Sequence, residues 1–204
     1  GQPKYDEIEI TERCVAHEEP LADAAIITIG RQAGEGMDRN INGEFNLTKD
    51  EQDMIFRVSD AFHAKNKKVI VIINSGSVME TASWRDRVDA ILVAWQPGIE
   101  GGNSVADILT GKVNPSGRLT MTWPIAATDH PSTANFPQDY DMYTYKNMEG
   151  SGHVKNVDYT NHEEDIYVGY RYFDTFNKRV AYPFGFGLSY TTFELTKPVV
   201  KLNG

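Results

Sequence analysis

Three short apolar runs, separated by polar stretches with helical spacing, predict the strands of residues 24–124. They cover residues 24–29, 69–73 and 88–95. The second run is β-branched throughout, which is typical of the middle of a parallel sheet. The first run is apolar without alternation, so we expect it to be buried on both faces. Residues 119–124 alternate and end at a proline, which predicts an edge strand.

Helices are predicted between these strands. Thr48 and Glu51 have the spacing of a capping box, which satisfies backbone donors at a helix N-terminus. The helix that follows extends to about residue 64 and carries an apolar stripe formed by Met54, Ile55, Val58 and Phe62. A shorter helix is predicted at residues 78–86 and a third at 103–109, with Gly111 just beyond its end. Alternating strands and helices indicate an α/β domain with a mainly parallel sheet and right-handed crossovers.

The two ends of the chain differ from this central part. Residues 1–23 are polar and acidic and are predicted to be a lead-in, in part an extended edge segment. Residues 125–164 show little periodicity and predict a long irregular loop. Ten aromatic residues follow between 167 and 193, and we expect most of these rings to pack the tail onto the domain.

Composition excludes several classes of partner. The 204 residues carry 20 Lys and Arg against 29 Asp and Glu, a net charge of −9. No basic stripe is present, so neither nucleic acid nor an anionic membrane is expected as a partner. Cys14 is the sole cysteine, and the five histidines lack metal-binding spacing, so no metal or other cofactor is expected. The apolar runs are too short to span a bilayer.

The candidate catalytic residue is Glu35, which lies between Gly34 and Gly36 in the loop after the first strand. Ligands bind at the carboxyl edge of open α/β sheets, and flanking glycines let a carboxyl be aimed freely. A glutamate placed in this way is suited to act as a proton donor. The alternative is a solvated loop glutamate with no catalytic role.

Two other chemistries are weaker alternatives. Residues 97–102 are glycine-rich and open a helix, but they lack a phosphate-binding motif and contain Glu100. Ser75 and Ser77 follow a strand, but they do not form a GxSxG motif, and hydroxyls that cap the next helix are the preferred interpretation.

Cleavage of a glycosidic bond requires two carboxyls. Asp38 is the nearest second carboxyl to Glu35, but we expect it to pair with Arg39 in a structural role. The loop therefore provides one carboxyl of the required two.

Six motifs, in their order along the chain, closely resemble the second domain of glycoside hydrolase family 3 β-glucosidases. They are GEGMDR at 34–39, KVIVIINSGS at 68–77, WQPGIEGG at 95–102, NPSGRL at 114–119, YVGYRYFD at 167–174 and PFGFGLSYT at 183–191. The resemblance covers about residues 22–196. It implies a three-layer α/β/α sandwich with a mainly parallel sheet, here incomplete at its N-terminus, followed by a long irregular loop and tail.

In that family a barrel domain precedes the sandwich, and its aspartate is the nucleophile of a retaining reaction on terminal β-linked sugars. The glutamate of the GEG motif is the acid/base, which implies this role for Glu35. The missing partner carboxyl would then lie on a barrel domain that this chain lacks, and the isolated chain is expected to be inactive. The expected substrate is a β-glucoside or oligosaccharide. A non-catalytic ligand-binding or domain-packing module is the alternative.

The resemblance also implies the domain boundaries. Residues 1–23 are the lead-in, 24–190 the sandwich domain, and 191–204 a linker or the start of a fibronectin-III-like domain. No signal peptide is present, but a chain that starts Gly1-Gln2-Pro3 can lack its targeting information. A periplasmic or secreted location is compatible with the sequence, and no location is predicted.

Overall fold

A three-stranded parallel sheet forms the centre of the computed structural model, which describes residues 10–31, 39–134, 162–194 and 196–201. The strands are β1 (Ala24–Gly30), β2 (Lys68–Asn74) and β3 (Ala90–Val93), in the order β1-β2-β3. β2 pairs with both neighbours in parallel register. The prediction that the most β-branched run lies in the middle of a parallel sheet is therefore confirmed, as is the mixed α/β class.

Four α-helices accompany the sheet in the described part of the chain: α1 (Glu12–Glu18), α2 (Lys49–His63), α3 (Gly101–Leu109) and α4 (Tyr170–Thr175). Shorter helical turns lie at Glu19–Leu21, Ile41–Phe45, Arg85–Arg87, Ala127–Asp129 and Pro131–Ala134. α2 begins with the predicted capping box, in which the Thr48 hydroxyl accepts from the Glu51 amide and the Glu51 carboxylate accepts from the Thr48 amide. α1 is a correction, because this part of the lead-in is helical and not extended.

The hydrophobic core lies between one face of the sheet and α2. Side chains at odd-numbered positions of β1 and β2 are buried here, together with the apolar stripe of α2: Ile27, Ile29, Val69, Val71, Ile73, Ile55, Val58 and Phe62. The stripe predicted from the helical spacing is therefore the buried face of α2. This packing fixes β1 and β2 relative to α2, and hence the points at which the chain leaves these two strands.

β1 is not buried on both faces, contrary to the prediction. Its burial alternates along the strand, with Ile27 and Ile29 buried while Ile26 is 56% exposed. Successive side chains of a strand point to opposite faces, and α2 covers only one of them. Among the described residues, no element covers the opposite face of β1 as fully as α2 covers this one. An apolar run in the sequence cannot show that only one face of the strand is covered.

The predicted helix at 78–86 is also wrong. The backbone there makes turns and ends in the single helical turn Arg85–Arg87. The Glu80 amide donates to the Phe45 carbonyl at 2.9 Å, and the Met79 and Trp84 side chains are fully buried. Tertiary hydrogen bonds and burial thus replace the helical ladder that the local pattern indicated.

The predicted edge strand at 119–124 pairs with the tail and not with the sheet. Trp123 forms an isolated antiparallel bridge with Tyr182, and the Leu119 amide donates to the Phe186 carbonyl at 2.8 Å. The Tyr190 hydroxyl adds a hydrogen bond to the Ile108 carbonyl of α3 at 2.8 Å. The tail is therefore attached to the domain largely through its backbone.

The aromatic rings of the tail contribute less to this attachment than expected. Phe173 is buried, and Tyr182 is half-buried against Trp123. Six of the ten rings are exposed, at Tyr167, Tyr170, Phe176, Phe184, Tyr190 and Phe193. Several of them contact one another, such as Tyr170 with Phe184 at a centroid distance of 4.8 Å. The expectation that most rings pack onto the domain is therefore wrong.

Candidate active site

The loops after the three strands begin side by side at the carboxyl edge of the sheet. Gly30 at the end of β1 pairs with Asn74 at the end of β2, and the Arg31 amide donates to the Asn74 carbonyl at 3.0 Å. The Ala94 amide after β3 donates to the Ile73 carbonyl at 2.8 Å. The arrangement gives the edge at which α/β proteins bind ligands.

Glu35, the predicted acid, lies outside the described residues, as do Gly34, Gly36 and Asp38. The structure describes both flanks of this loop, which are Arg31 and Arg39. The site is therefore built here from the groups that hold these two flanks.

The Arg31 guanidinium makes four hydrogen bonds at the end of β1. Its guanidinium forms a bidentate ion pair with the Glu51 carboxylate, at 2.7 and 2.6 Å. It also donates to the carbonyls of Gly30 at 2.7 Å and Glu44 at 3.1 Å. The Arg31 side chain is only 9% exposed. The first flank of the loop is thus attached to the first turn of α2.

Arg39 holds the second flank. Its Nη2 donates to the Val78 carbonyl at 2.6 Å, and its Nη1 lies 3.5 Å from the Glu44 carbonyl. The Glu44 carboxylate accepts a hydrogen bond from the Asn40 amide. These bonds connect the loop after β1 with the loop after β2. The expected pairing of Arg39 with Asp38 lies outside the described residues.

The turn between these contacts depends on Gly43. Its φ of +86° lies in the left-handed region, which favours glycine. The turn is closed by hydrogen bonds from the Phe45 amide to the Asn40 carbonyl at 3.1 Å and from the Asn46 amide to the Ile41 carbonyl at 2.8 Å. It presents the Glu44 carbonyl to both arginines.

Four ionic groups surround the flanks of the loop, the guanidinium groups of Arg31 and Arg39 and the carboxylates of Glu44 and Glu51, so their charges balance. Burial alone would raise the pKa of the Glu51 carboxyl, but hydrogen bonds from Arg31 and the Thr48 backbone outweigh burial, so its pKa lies below its ordinary value. Burial lowers the pKa of the Arg39 guanidinium; the Glu44 carboxylate opposes this effect and the Arg31 charge adds to it. The flanks are therefore held by partly buried ionic groups that compensate one another.

The two serines after β2 close a turn. The Ser75 hydroxyl is buried, donates to the Ser77 carbonyl at 2.9 Å and accepts from the Ser77 amide at 3.3 Å. The preferred assignment to helix capping was wrong in its detail, because no helix follows. These local bonds nevertheless use the hydroxyl structurally.

The loops after β2 and β3 pack closely together. A Cβ at Gly76 would lie 2.9 Å from the Gln96 side chain, so that side chain would have to move. Trp95 adopts a left-handed φ of 54°, and its ring meets that of Trp123 edge-on at 6.1 Å. Residues 96–98 thus lie against the turn at residues 75–77. This contact fixes the start of the loop after β3 relative to the loop after β2.

The glycine-rich segment 97–102 offers little to a phosphate. The Glu100 carboxylate accepts a hydrogen bond from the Asn103 side chain at 2.7 Å at the start of α3, where it would repel an anion. Ile99 beside it is fully exposed. Within the described ranges no cluster of three His, Cys, Asp or Glu could hold a metal ion, and no helix is long and apolar enough to cross a membrane.

Sequence reasoning missed Arg31 and Glu44 and saw only one role of Glu51. The capping box placed Glu51 at the start of α2, and the structure adds its ion pair with Arg31. An arginine directly after a buried strand was the available signal for Arg31. Nothing local marks Glu44, because its backbone carbonyl is the group that matters.

Comparison with known proteins agrees with this architecture. The model of the glycosyl hydrolase family 3 C-terminal domain matches residues 9–190, and the chain belongs to this family. Beta-glucosidase A of Butyrivibrio fibrisolvens is 40% identical over 91% of the chain, which spans 23% of that relative. An exo-alpha-(1->6)-L-arabinopyranosidase of Bifidobacterium longum is 40% identical over 69% of the chain and 16% of its own length.

A solved structure shows the same fold. Beta-glucosidase 3B of Thermotoga neapolitana in complex with glucose is 47% identical, with a TM-score of 0.78. The match covers 94% of this chain and 25% of that structure. The chain therefore corresponds to one part of much longer glycosidases, and the resemblance to family 3 is confirmed.

Proposed function

We propose that this chain is the sandwich domain of a retaining β-glucosidase that releases terminal non-reducing β-D-glucosyl residues. Glu35 is the general acid/base, and the nucleophilic aspartate belongs to a barrel domain. The observation that carries the proposal is the loop of Glu35 itself, which leaves the carboxyl end of β1 with both flanks tied to the scaffold. Family membership and the fraction of its relatives that the chain spans give further support.

The chemistry requires this division of labour. Glu35 would first protonate the leaving oxygen while the aspartate attacks the anomeric carbon and forms a glycosyl-enzyme. The resulting Glu35 carboxylate would then take a proton from water, which attacks the same carbon and releases the sugar. One carboxyl cannot be both the nucleophile and the acid/base. We therefore expect the isolated 204 residues not to turn over an aryl β-glucoside, and measurable turnover would refute this expectation.

The test uses the two-domain enzyme, defined as the natural polypeptide that carries this chain together with the proposed barrel domain. Glu35→Ala should lower kcat/KM for an alkyl β-glucoside by about 10²–10⁴-fold, the usual contribution of general acid catalysis. A dinitrophenyl β-glucoside needs little protonation and should lose far less. Added azide should restore kcat on the dinitrophenyl substrate and yield a β-glucosyl azide, because azide attacks the glycosyl-enzyme without a general base.

Glu100→Ala is the matched control, since Glu100 also lies in a glycine-rich loop at the same sheet edge. It should change neither the ratio between the two substrates nor the response to azide. Equal losses on both substrates for Glu35→Ala would remove Glu35 from the role and favour the alternative of a non-catalytic module.

A further inference from the structure

Two arginines that flank the Glu35 loop converge on one backbone oxygen. Arg31 and Arg39 lie four residues before and after Glu35. Their guanidinium groups lie 3.1 and 3.5 Å from the Glu44 carbonyl. Within the described residues this is the point where the two flanks meet a common group.

Each flank also has an anchor of its own. Arg31 is attached to α2 through Glu51, whose carboxylate additionally accepts from the Thr48 amide at 2.9 Å. Arg39 is attached to the loop after β2 through the Val78 carbonyl at 2.6 Å. Because the core fixes both α2 and β2, the positions of the two flanks are set by the rigid scaffold.

We propose that Arg31 and Arg39 are positioning residues for the acid/base glutamate, a role that rests on the proposed function. We call this pair of residues the arginine clamp; the Glu44 carbonyl is the acceptor that they share. The clamp fixes residues 31 and 39, between which residues 32–38 must span, and so limits the positions that the Glu35 carboxyl can take relative to the glycosidic oxygen. A general acid works only within hydrogen-bond reach of its target, and a misplacement of about 1 Å can cost about 10²-fold in rate.

Guanidinium geometry explains why arginines serve here. A planar group with several fixed donors can reach two acceptors at once, as Arg39 does with Val78 and Glu44. A lysine at position 39 would keep the charge and one strong hydrogen bond, but it could not donate to the Val78 and Glu44 carbonyls at the same time. The conservative variant therefore separates charge from geometry.

The test measures kcat/KM in the two-domain enzyme for an alkyl and a dinitrophenyl β-glucoside. For Arg39→Met we expect a loss of about 10–10²-fold on the alkyl substrate, within the range for a misplaced acid, and a loss of less than about 3-fold on the dinitrophenyl substrate. Arg39→Lys should fall between the wild type and Arg39→Met. A lower content of folded enzyme reduces both rates equally, so the ratio of the two reports positioning and not stability.

Arg85→Met is the matched control. Arg85 also donates to a backbone carbonyl, that of Ala181, and lies over the Tyr182 ring, and its described hydrogen bonds, ion pairs and ring contacts do not include the loop after β1. Its loss should lower the melting temperature and leave the substrate ratio unchanged. Equal losses on both substrates for Arg39→Met, or an equal change of ratio for Arg85→Met, would overturn the clamp.

A double variant tests whether the clamp acts through Glu35. In the Glu35→Ala background, Arg39→Met should cause no further change in the ratio, because no acid remains to be positioned. A further fall as large as that of the single variant would overturn the proposal. If Glu35→Ala alone leaves the ratio unchanged, the proposed function fails first, and this outcome differs from a failure of the clamp alone.

Discussion

Replacing Glu51 with Gln tests the ionic link between α2 and the loop after β1. Gln has the same shape and is accepted at this position of a capping box, so the helix start should persist. What is lost is the charge that faces Arg31 across contacts of 2.7 and 2.6 Å. The change therefore isolates the ion pair from the cap.

The size of the effect follows from burial. Removing one partner of a buried pair costs about 3–5 kcal/mol, whereas exposed pairs contribute about 0–1 kcal/mol. Arg31 is 9% and Glu51 24% exposed, so the pair lies closer to the buried limit. We expect Glu51→Gln to lower the free energy of unfolding at pH 7 by about 2–3 kcal/mol, mainly because the Arg31 charge loses its counterion.

The dependence on pH gives a second criterion. The pKa of Glu51 is lowered in the folded state, so its stabilisation is complete above the unfolded value of about 4.3 and is lost as pH falls through the folded value. The wild-type advantage should thus be constant from pH 8 to about pH 5 and should shrink below about pH 4.

The assay is urea unfolding of the chain followed by tryptophan fluorescence, since Trp84 and Trp123 are fully buried. Asp53→Asn is the control in the same helix. Its pair with Lys49 is 41% and 79% exposed on the two sides and should contribute less than about 0.5 kcal/mol. A loss below 1 kcal/mol for Glu51→Gln, a loss equal to that of the control, or a difference between wild type and variant that is as large at pH 3 as at pH 7 would refute the reasoning.

Two further predictions concern the tail and the opposite edge of the sheet. Gly187→Ala places a Cβ 2.5 Å from the Gly117 carbonyl, so it should cost about 1–3 kcal/mol in thermal unfolding, whereas Gly117→Ala meets open space and should be nearly neutral; equal melting temperatures would contradict this. Asp89 accepts from Lys68, the Val69 amide and His63, and the Lys68 bond above all holds its pKa well below its ordinary value. Asp89→Asn should therefore destabilise in urea at pH 7 and progressively less below about pH 3.9, and a loss independent of pH would contradict this.

Much of the fold follows from local patterns because each rests on groups that are close in sequence. The capping box at Thr48 and Glu51 satisfies its own backbone donors, and the apolar stripe of α2 needs only helical spacing. The β-branched run of β2 similarly indicated the centre of the sheet. The failures at residues 78–86 and 119–124 share one cause, since partners from distant segments, Phe45 and Tyr182, provide the hydrogen bonds there.

The sequence by itself determined the α/β order and the family, and it predicts Glu35 as the acid, because motifs and periodicity are properties of neighbouring residues. The tertiary structure decided which face of β1 is covered and which groups hold the flanks of the Glu35 loop. Those outcomes depend on contacts across long stretches of chain, such as that of Arg31 with Glu51 and that of Arg39 with Val78. A backbone carbonyl such as that of Glu44 is identical at every residue, so only folding can select it as a point of attachment.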